Sequence, residues 1–268
     1  MKIIDLSLPI DDSVFEPHPL KIERWEHRSG GDRFGRLWAR LQGFRGRLKY
    51  IMGKERITRD SFPDGQFLSL ERVNATVHHG THLDAPYHYG PLSEGREAKK
   101  IENIPLEWCY GDGVILDCSH KDPGSVITRE DMEAAVSALS YRIKPMDIVL
   151  IHTGSDRLWG TRKYFSHYVG VSREALAFVL DFKVKVVGID AFSFDRPMYK
   201  MVADFLRTKN SDYLWPAHFY GREKEYCHIE RLTNLDKVPS PYGFRVSCFP
   251  VKIKDVGASA VRAVAIIE

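Results

Sequence analysis

The segment His78-His79-Gly80-Thr81-His82-Leu83-Asp84-Ala85-Pro86-Tyr87-His88 decides how this chain is read. Four histidines and an aspartate fall within one loop-sized stretch. Neutral imidazole and carboxylate are the usual ligands of a hydrolytic metal, zinc above all. In an extended strand His78 and His82 stand roughly 13 Å apart, too far for both to reach one ion with bonds of about 2 Å. A helix brings residues i and i+4 together, but Gly80 and Pro86 make this a poor helix. The expectation is a strand that turns at Gly80-Thr81 and aims His78, His82 and Asp84 at one point. His88, beyond Pro86, folds back over the same pocket. The plain alternative is a surface loop with scattered histidines, or core histidines that are simply hydrogen-bonded.

Outside this stretch the bulk numbers set bounds. With 268 residues, 43% hydrophobic and 28% charged, the chain can bury one sizeable core, and a single α/β domain is expected. The formal charge of +3 gives no reason to invoke nucleic acid or an acidic membrane. The cysteines, Cys109, Cys118, Cys227 and Cys248, form no C-x-x-C pair, which argues against a zinc ribbon and a dithiol motif. Their scatter, with no secretory leader, suggests a cytoplasmic protein. Met1 to Leu8 is interrupted by Asp5 and reads as a first strand rather than a signal peptide. No apolar run approaches the ~20 residues of a membrane span.

Upstream of the histidines, Pro9 to Pro19 is a loop carrying Phe15. Residues 21–60 form a basic, aromatic-containing insert, with Arg28, Arg33, Arg36, Arg40, Arg45, Arg47, Arg56 and Arg59. Phe34, Leu37, Trp38 and Leu41 have helical spacing, and Gly43 and Gly46 then loosen it. An amphipathic surface helix explains this. A lid or dimer arm, with Phe34 and Trp38 walling the pocket and the arginines receiving an acidic or acyl-carrier partner, is the sharper reading. Residues 67–77 alternate well enough for a strand delivering His78. Downstream, Gly113–Asp117, Asp147–Gly154 and Val184–Ile189 read as core strands. Thr128 and Ser172 read as helix N-caps between them. Residues 244–253 and 258–267 read as two final strands. Strand, helix, strand, helix, strand favours a partly parallel sheet with packed helices.

With these residues in view, the chain resembles the metal-dependent cyclase/hydrolase family, defined by H-x-G-T-H-x-D-x-P-x-H. Positions 78–88 fill every defining position. The family includes kynurenine formamidases, isatin hydrolases and proteins assigned to ring closure of aromatic polyketides. Residues 215–219, 226–232 and 243–246 look most like the polyketide branch. The resemblance implies a swivelling β/β/α fold, a mixed sheet with flanking helices, and a homodimer or higher homo-oligomer. It also implies that His78, His82 and Asp84 bind a metal and that His88 transfers protons. His218, with Glu230 twelve residues on, would complete a second metal site in which Asp84 and Glu230 serve both ions. The cofactor implied is one or two divalent ions per chain, Zn2+ or alternatively Mn2+. His79 rivals His78 as a ligand, and His228 rivals His218. His152 and Asp190 are candidates for supporting the ligands from behind. Phe15 falls near the place of a tryptophan that contacts substrate in the formamidases, a departure that bears on substrate choice.

The implied chemistry is attack of metal-activated water on an amide, formamide, lactam or ester carbonyl of a small substrate, with His88 as general acid and base. The same parts allow ring closure: polarisation of a ketone, removal of an α-proton by His88, and aldol addition. A dry pocket lined by Phe34, Trp38 and Trp215 would favour that second route. A non-catalytic binding or scaffolding module is the third reading. The intact ligand set and His88 weigh against it.

Overall fold

A computed structural model describes residues 1–268 and divides them into two compact units, residues 1–17 with 77–268, and residues 18–76. The first unit is built on nine strands: β1 (Lys2–Asp5), β2 (His82–Asp84), β3 (Tyr110–Asp117), β4 (Ile148–His152), β5 (Val186–Ile189), β6 (Cys227–Glu230), β7 (Phe244–Ser247), β8 (Ala258–Ala260) and β9 (Val264–Ile267). They form one mixed sheet in the order β1-β9-β7-β3-β4-β5-β6-β2-β8. Its centre, β3-β4-β5-β6, is parallel, and the flanking pairs are antiparallel.

The parallel strands are continuous apolar runs because both faces of the sheet are covered. Val114, Leu116, Val149, Ile151, Val187 and Ile189 enter one core cluster, and Ile115, Ile148, Leu150 and Val186 enter the other. Alternation along each strand assigns neighbours to opposite faces. The first cluster is closed by helices α2 (Arg129–Ser137) and α3 (Arg173–Leu180), through Met132, Leu176 and Val179. Both begin at the expected caps. Thr128 Oγ1 accepts from Asp131 N, and the Asp131 carboxylate accepts from Thr128 N at 2.8 Å. Ser172 Oγ accepts from Ala175 N at 3.1 Å. Three further helices complete the unit: the longer α4 (Met198–Thr208) and the short α1 (Pro86–Tyr89) and α5 (Pro216–Tyr220).

Four expectations need correction. The strand expected over 244–253 ends at Ser247. The strand expected over residues 67–77 is confined to Leu70–Asn74. It pairs with Lys21–Trp25 in a separate two-stranded ribbon, exposed along its length. His78 therefore leaves a turn, not a strand. The last strand expected over 258–267 is two strands, interrupted at Val261–Ala263. The stretch after Gly43 is not loosened but forms a second helix, Gly43–Ile51.

The second unit holds that ribbon and the helices His27–Leu41 and Gly43–Ile51. A Cβ on Gly35 would lie 1.9 Å from the carbonyl oxygen of Ile57 and 3.3 Å from the Tyr50 ring, so only glycine permits this approach. Phe34 packs in the unit's own aromatic cluster, stacked on Phe67 at 5.1 Å and edge-on to Phe62. Trp38 is 44% exposed.

Candidate metal centre

Strand register builds the site. β2 runs antiparallel to β6, with His82 opposite Glu230, Leu83 opposite Ile229 and Asp84 opposite His228. Side chains alternate, so His82, Asp84, His228 and Glu230 share one face, while Leu83 and Ile229 anchor the strands in the core on the other. On the far side of β2, β8 places Ala258 opposite Asp84 and Ala260 opposite His82. Methyl side chains crowd the ligand face least.

The turn before β2 delivers His78. Gly80 has φ +65°, and a Cβ there would come within 3.0 Å of Ile10 and 3.1 Å of the Leu8 carbonyl. A larger residue is excluded by both the backbone and the space. Thr81 Oγ1 accepts from Leu8 N at 2.7 Å and donates to the Arg231 carbonyl, tying the turn to the end of β6. After β2, Pro86 opens α1, which carries His88 back over the site. His88 Nε2 stands 3.8 Å from Asp84 Oδ2, and its ring centroid is 4.5 Å from that of His78 and 5.5 Å from that of His218.

Hydrogen bonds orient three imidazoles alike. His82 Nδ1 donates to the Gly80 carbonyl at 3.0 Å, and His218 Nδ1 donates to Asp195 Oδ2 at 2.6 Å. His228 Nδ1 donates to the Tyr226 hydroxyl at 3.2 Å, because that hydroxyl itself donates to the Ala217 carbonyl. Each ring thus commits Nδ1–H outward and turns Nε2 inward. Inward lie the two carboxylates. His82 Nε2 is 3.7 Å from Asp84 Oδ1 and 3.5 Å from Glu230 Oε2. His218 Nε2 is 3.6 Å from Glu230 Oε1, and His228 Nε2 is 2.8 Å from Asp84 Oδ2 and 3.4 Å from Glu230 Oε1. His78 Nδ1 is 3.1 Å from Asp84 Oδ1. Two ligand groups result, His78-His82-Asp84 and Asp84-His218-His228-Glu230. Asp84 turns one oxygen to each group, and so does Glu230.

Lone pairs facing carboxylates call for a cation. His82 Nε2 is buried with no hydrogen-bond partner, an arrangement that costs about 1–3 kcal/mol when nothing fills it, and Asp84 Oδ1 has only the His78 approach at 3.1 Å. An all-nitrogen-and-oxygen donor set suits a borderline or hard divalent ion. The residues therefore fit the metal implied by the motif. Without metal, one proton does part of the same work. Burial disfavours a charged His228, but its hydrogen bonds to Asp84 and Glu230 outweigh burial and raise its pKa to about 9. His88 goes the other way: burial dominates over the attraction of Asp84 and lowers it to about 4.

The chain matches the sequence profile of the Cyclase family, described as "Putative cyclase", over residues 4–196. It belongs to the Cyclase family. Membership makes it an enzyme. Solved structures with the same fold include an isatin hydrolase bound to the product analogue thioisatinate, at 20% identity and a TM-score of 0.70, covering 99% of this chain and 92% of that one. Isatin hydrolase A from Ralstonia solanacearum is similar at 19% identity and a TM-score of 0.72, covering 100% and 92%. A potential metal-dependent hydrolase with cyclase activity is similar at 20% identity and a TM-score of 0.59, covering 100% and 98%. No helix is long and apolar enough to cross a membrane.

In this Cyclase family chain the structure brings together His78, His82, Asp84, His88, His218 and Glu230. It also resolves the two rivalries differently. His79 is buried outside both ligand groups, whereas His228 joins His218 instead of replacing it. The support behind the ligands is not His152 with Asp190. His152 lies 3.3 Å from Asp117 and 4.0 Å from Asp190, and Asp190 accepts from the backbone N–H groups of Thr153 and Gly154. The carboxylate that supports a ligand from behind is Asp195, which also accepts from the N–H groups of Ala217 and His218 and so positions the whole first turn of α5. Trp215, at the N-cap of α5 with φ +47°, is half-buried and donates its backbone N–H to Met201 Sδ. Phe15 is 38% exposed and meets Phe165 edge-on at 5.3 Å, with the Arg162 guanidinium over its ring.

Proposed function

We propose that the protein is a metal-dependent hydrolase of a small substrate, cleaving an amide, formamide, lactam or ester carbonyl. The observation that carries this reading is the convergence of inward-turned imidazole nitrogens on two shared carboxylates, with His82 Nε2 buried and lacking a hydrogen-bond partner. His78, His82 and Asp84 would hold one divalent ion, and His218, His228 and Glu230 a second, with Asp84 and Glu230 reaching both. Zinc suits this set, and manganese is compatible with it. A divalent ion bound there lowers the pKa of water and polarises a carbonyl oxygen. His88 does the proton work. Held neutral at pH 7 by burial, it takes a proton from the attacking water. Its conjugate acid is then a strong one, suited to protonate the departing nitrogen or oxygen. The isatin hydrolases that share the fold support a lactam or similar cyclic amide as the substrate class.

Ring closure is the second reading, and the family's description as a cyclase supports it. There His88 would remove a proton α to a carbonyl instead of from water. One assay separates the two. Zinc- or manganese-loaded protein is offered a lactam such as isatin and N-formylaniline in water enriched in 18O. Label in the acid product supports hydrolysis. No turnover of either compound, with metal bound, removes the hydrolytic reading in favour of ring closure.

A further inference from the structure

Arg231 follows the ligand Glu230 directly, and its backbone sits in the left-handed region at φ +61°. Residues with a long side chain rarely adopt that conformation, so the surroundings must hold it there. Four contacts do so. Its N–H donates to the Ala191 carbonyl at 2.9 Å. Its own carbonyl accepts from Thr81 Oγ1, one residue before the ligand His82. Its Nη1 donates to both carboxylate oxygens of Glu16, at 2.9 and 3.1 Å. Its guanidinium lies over the Phe192 ring, 4.5 Å from the centroid. Phe192 precedes Ser193 and Phe194, which donate from Oγ and N to Glu230 Oε1 at 3.1 and 2.7 Å.

Both charges are nearly sealed from water, with side chains of Arg231 and Glu16 only 4% and 7% exposed. A buried ion pair is a poor source of stability, because desolvation offsets the attraction. What it supplies is direction: the guanidinium reaches the Glu16 carboxylate through Nη1, while its buried Nε has no hydrogen-bond partner. That contact joins the end of β6, the Thr81 turn and the loop at Glu16. We propose that Glu16 and Arg231 are a positioning pair that sets Glu230 and His82 at the spacing a metal needs, through the Arg231 backbone and the Phe192–Phe194 segment. The inference rests on the metal reading above.

Removing one charge alone leaves the other buried and unpaired, so the test removes both. Glu16→Gln with Arg231→Met keeps the volumes and eliminates the pair. Zinc affinity is measured on metal-free protein by competition with a chromophoric chelator, and thermal unfolding is measured on the same metal-free samples. The expected result is zinc affinity weakened about 10–100-fold, the range for groups that orient ligands from behind, with the metal-free melting temperature unchanged or raised. Zinc affinity within twofold of wild type overturns the proposal. If the double variant does not fold, Arg231→Lys decides by the same criterion, since lysine keeps the charge but loses the planar guanidinium that lies over Phe192. Wild-type protein that binds no zinc or manganese would remove the metal reading itself, which separates that failure from failure of the positioning role.

Discussion

Nε2 of His228 lies 2.8 Å from Oδ2 of Asp84, the residue directly opposite it across two antiparallel strands. The pair brings together residues far apart in the chain at the centre of the ligand cluster, and its protonation links metal binding to pH.

With the His228 pKa raised to about 9, the metal-free protein at pH 7 holds an imidazolium where a cation would sit. Metal binding must displace that proton. Titration calorimetry of zinc into metal-free protein at pH 7, in buffers of different ionisation enthalpy, should report release of about one proton or more. Zinc binding with no proton release would contradict the assignment of His228 as a ligand.

The same shift has a stability consequence. The folded-state pKa lies above the ordinary value of about 6.5, so the proton contributes stability fully below that pH. The contribution is lost as pH rises through about 9. Metal-free protein should therefore melt at progressively lower temperature between pH 6.5 and 9, and His228→Gln should flatten that slope. A slope equally steep in the variant would assign it to another group.

His88→Ala should retain metal and fold while turnover falls about 10²–10⁴-fold, the usual contribution of a positioned acid–base group. Because burial lowers the His88 pKa to about 4, its acid limb in kcat/KM should fall near that pH and not near 6.5. A wild-type rate in the variant would remove His88 from the mechanism.

Asp195→Ala should weaken binding of the ion held by His218 about 10–100-fold, because the imidazole loses the acceptor that fixes its Nδ1–H and α5 loses two backbone contacts. Elemental analysis after dialysis should find less metal per chain than in wild type. Equal content would leave Asp195 with the helix alone.

Leu83 separates two ligands on β2 and is fully buried on the opposite face. Leu83→Ala should cost about 2–5 kcal/mol by denaturant unfolding, the range for a buried leucine. A loss below about 1 kcal/mol would mean that β2 is held by its two neighbouring strands without this anchor.

Much of this was legible in the residues. The parallel strands appear as apolar runs, Thr128 and Ser172 cap helices as their spacing indicates, and the motif at 78–88 contributes four residues to the centre. The i, i+2 spacing of His228 and Glu230 on a strand already places them on one face. Taken with the register of β2, it would have made His228 a companion of His218 rather than a rival. Asp195 carries no local signature: it lies 23 residues before His218 and contacts it only because α5 folds back. Residues 67–77 misled because alternation identifies a strand but not its partner, and that partner is the strand Lys21–Trp25 in the second unit.

Residue types and their spacing are enough to fix the chemistry of the donors, the Gly80 turn and the alternation that sets His82 and Asp84 on one face. These are local properties, dictated by side-chain type and backbone period. Folding of the whole chain sets β6 against β2, brings His228 into the cluster and joins Glu16 to Arg231. Contacts across 144 and 215 residues depend on which strand edges and loop ends meet once the core has closed, and no local pattern encodes that choice.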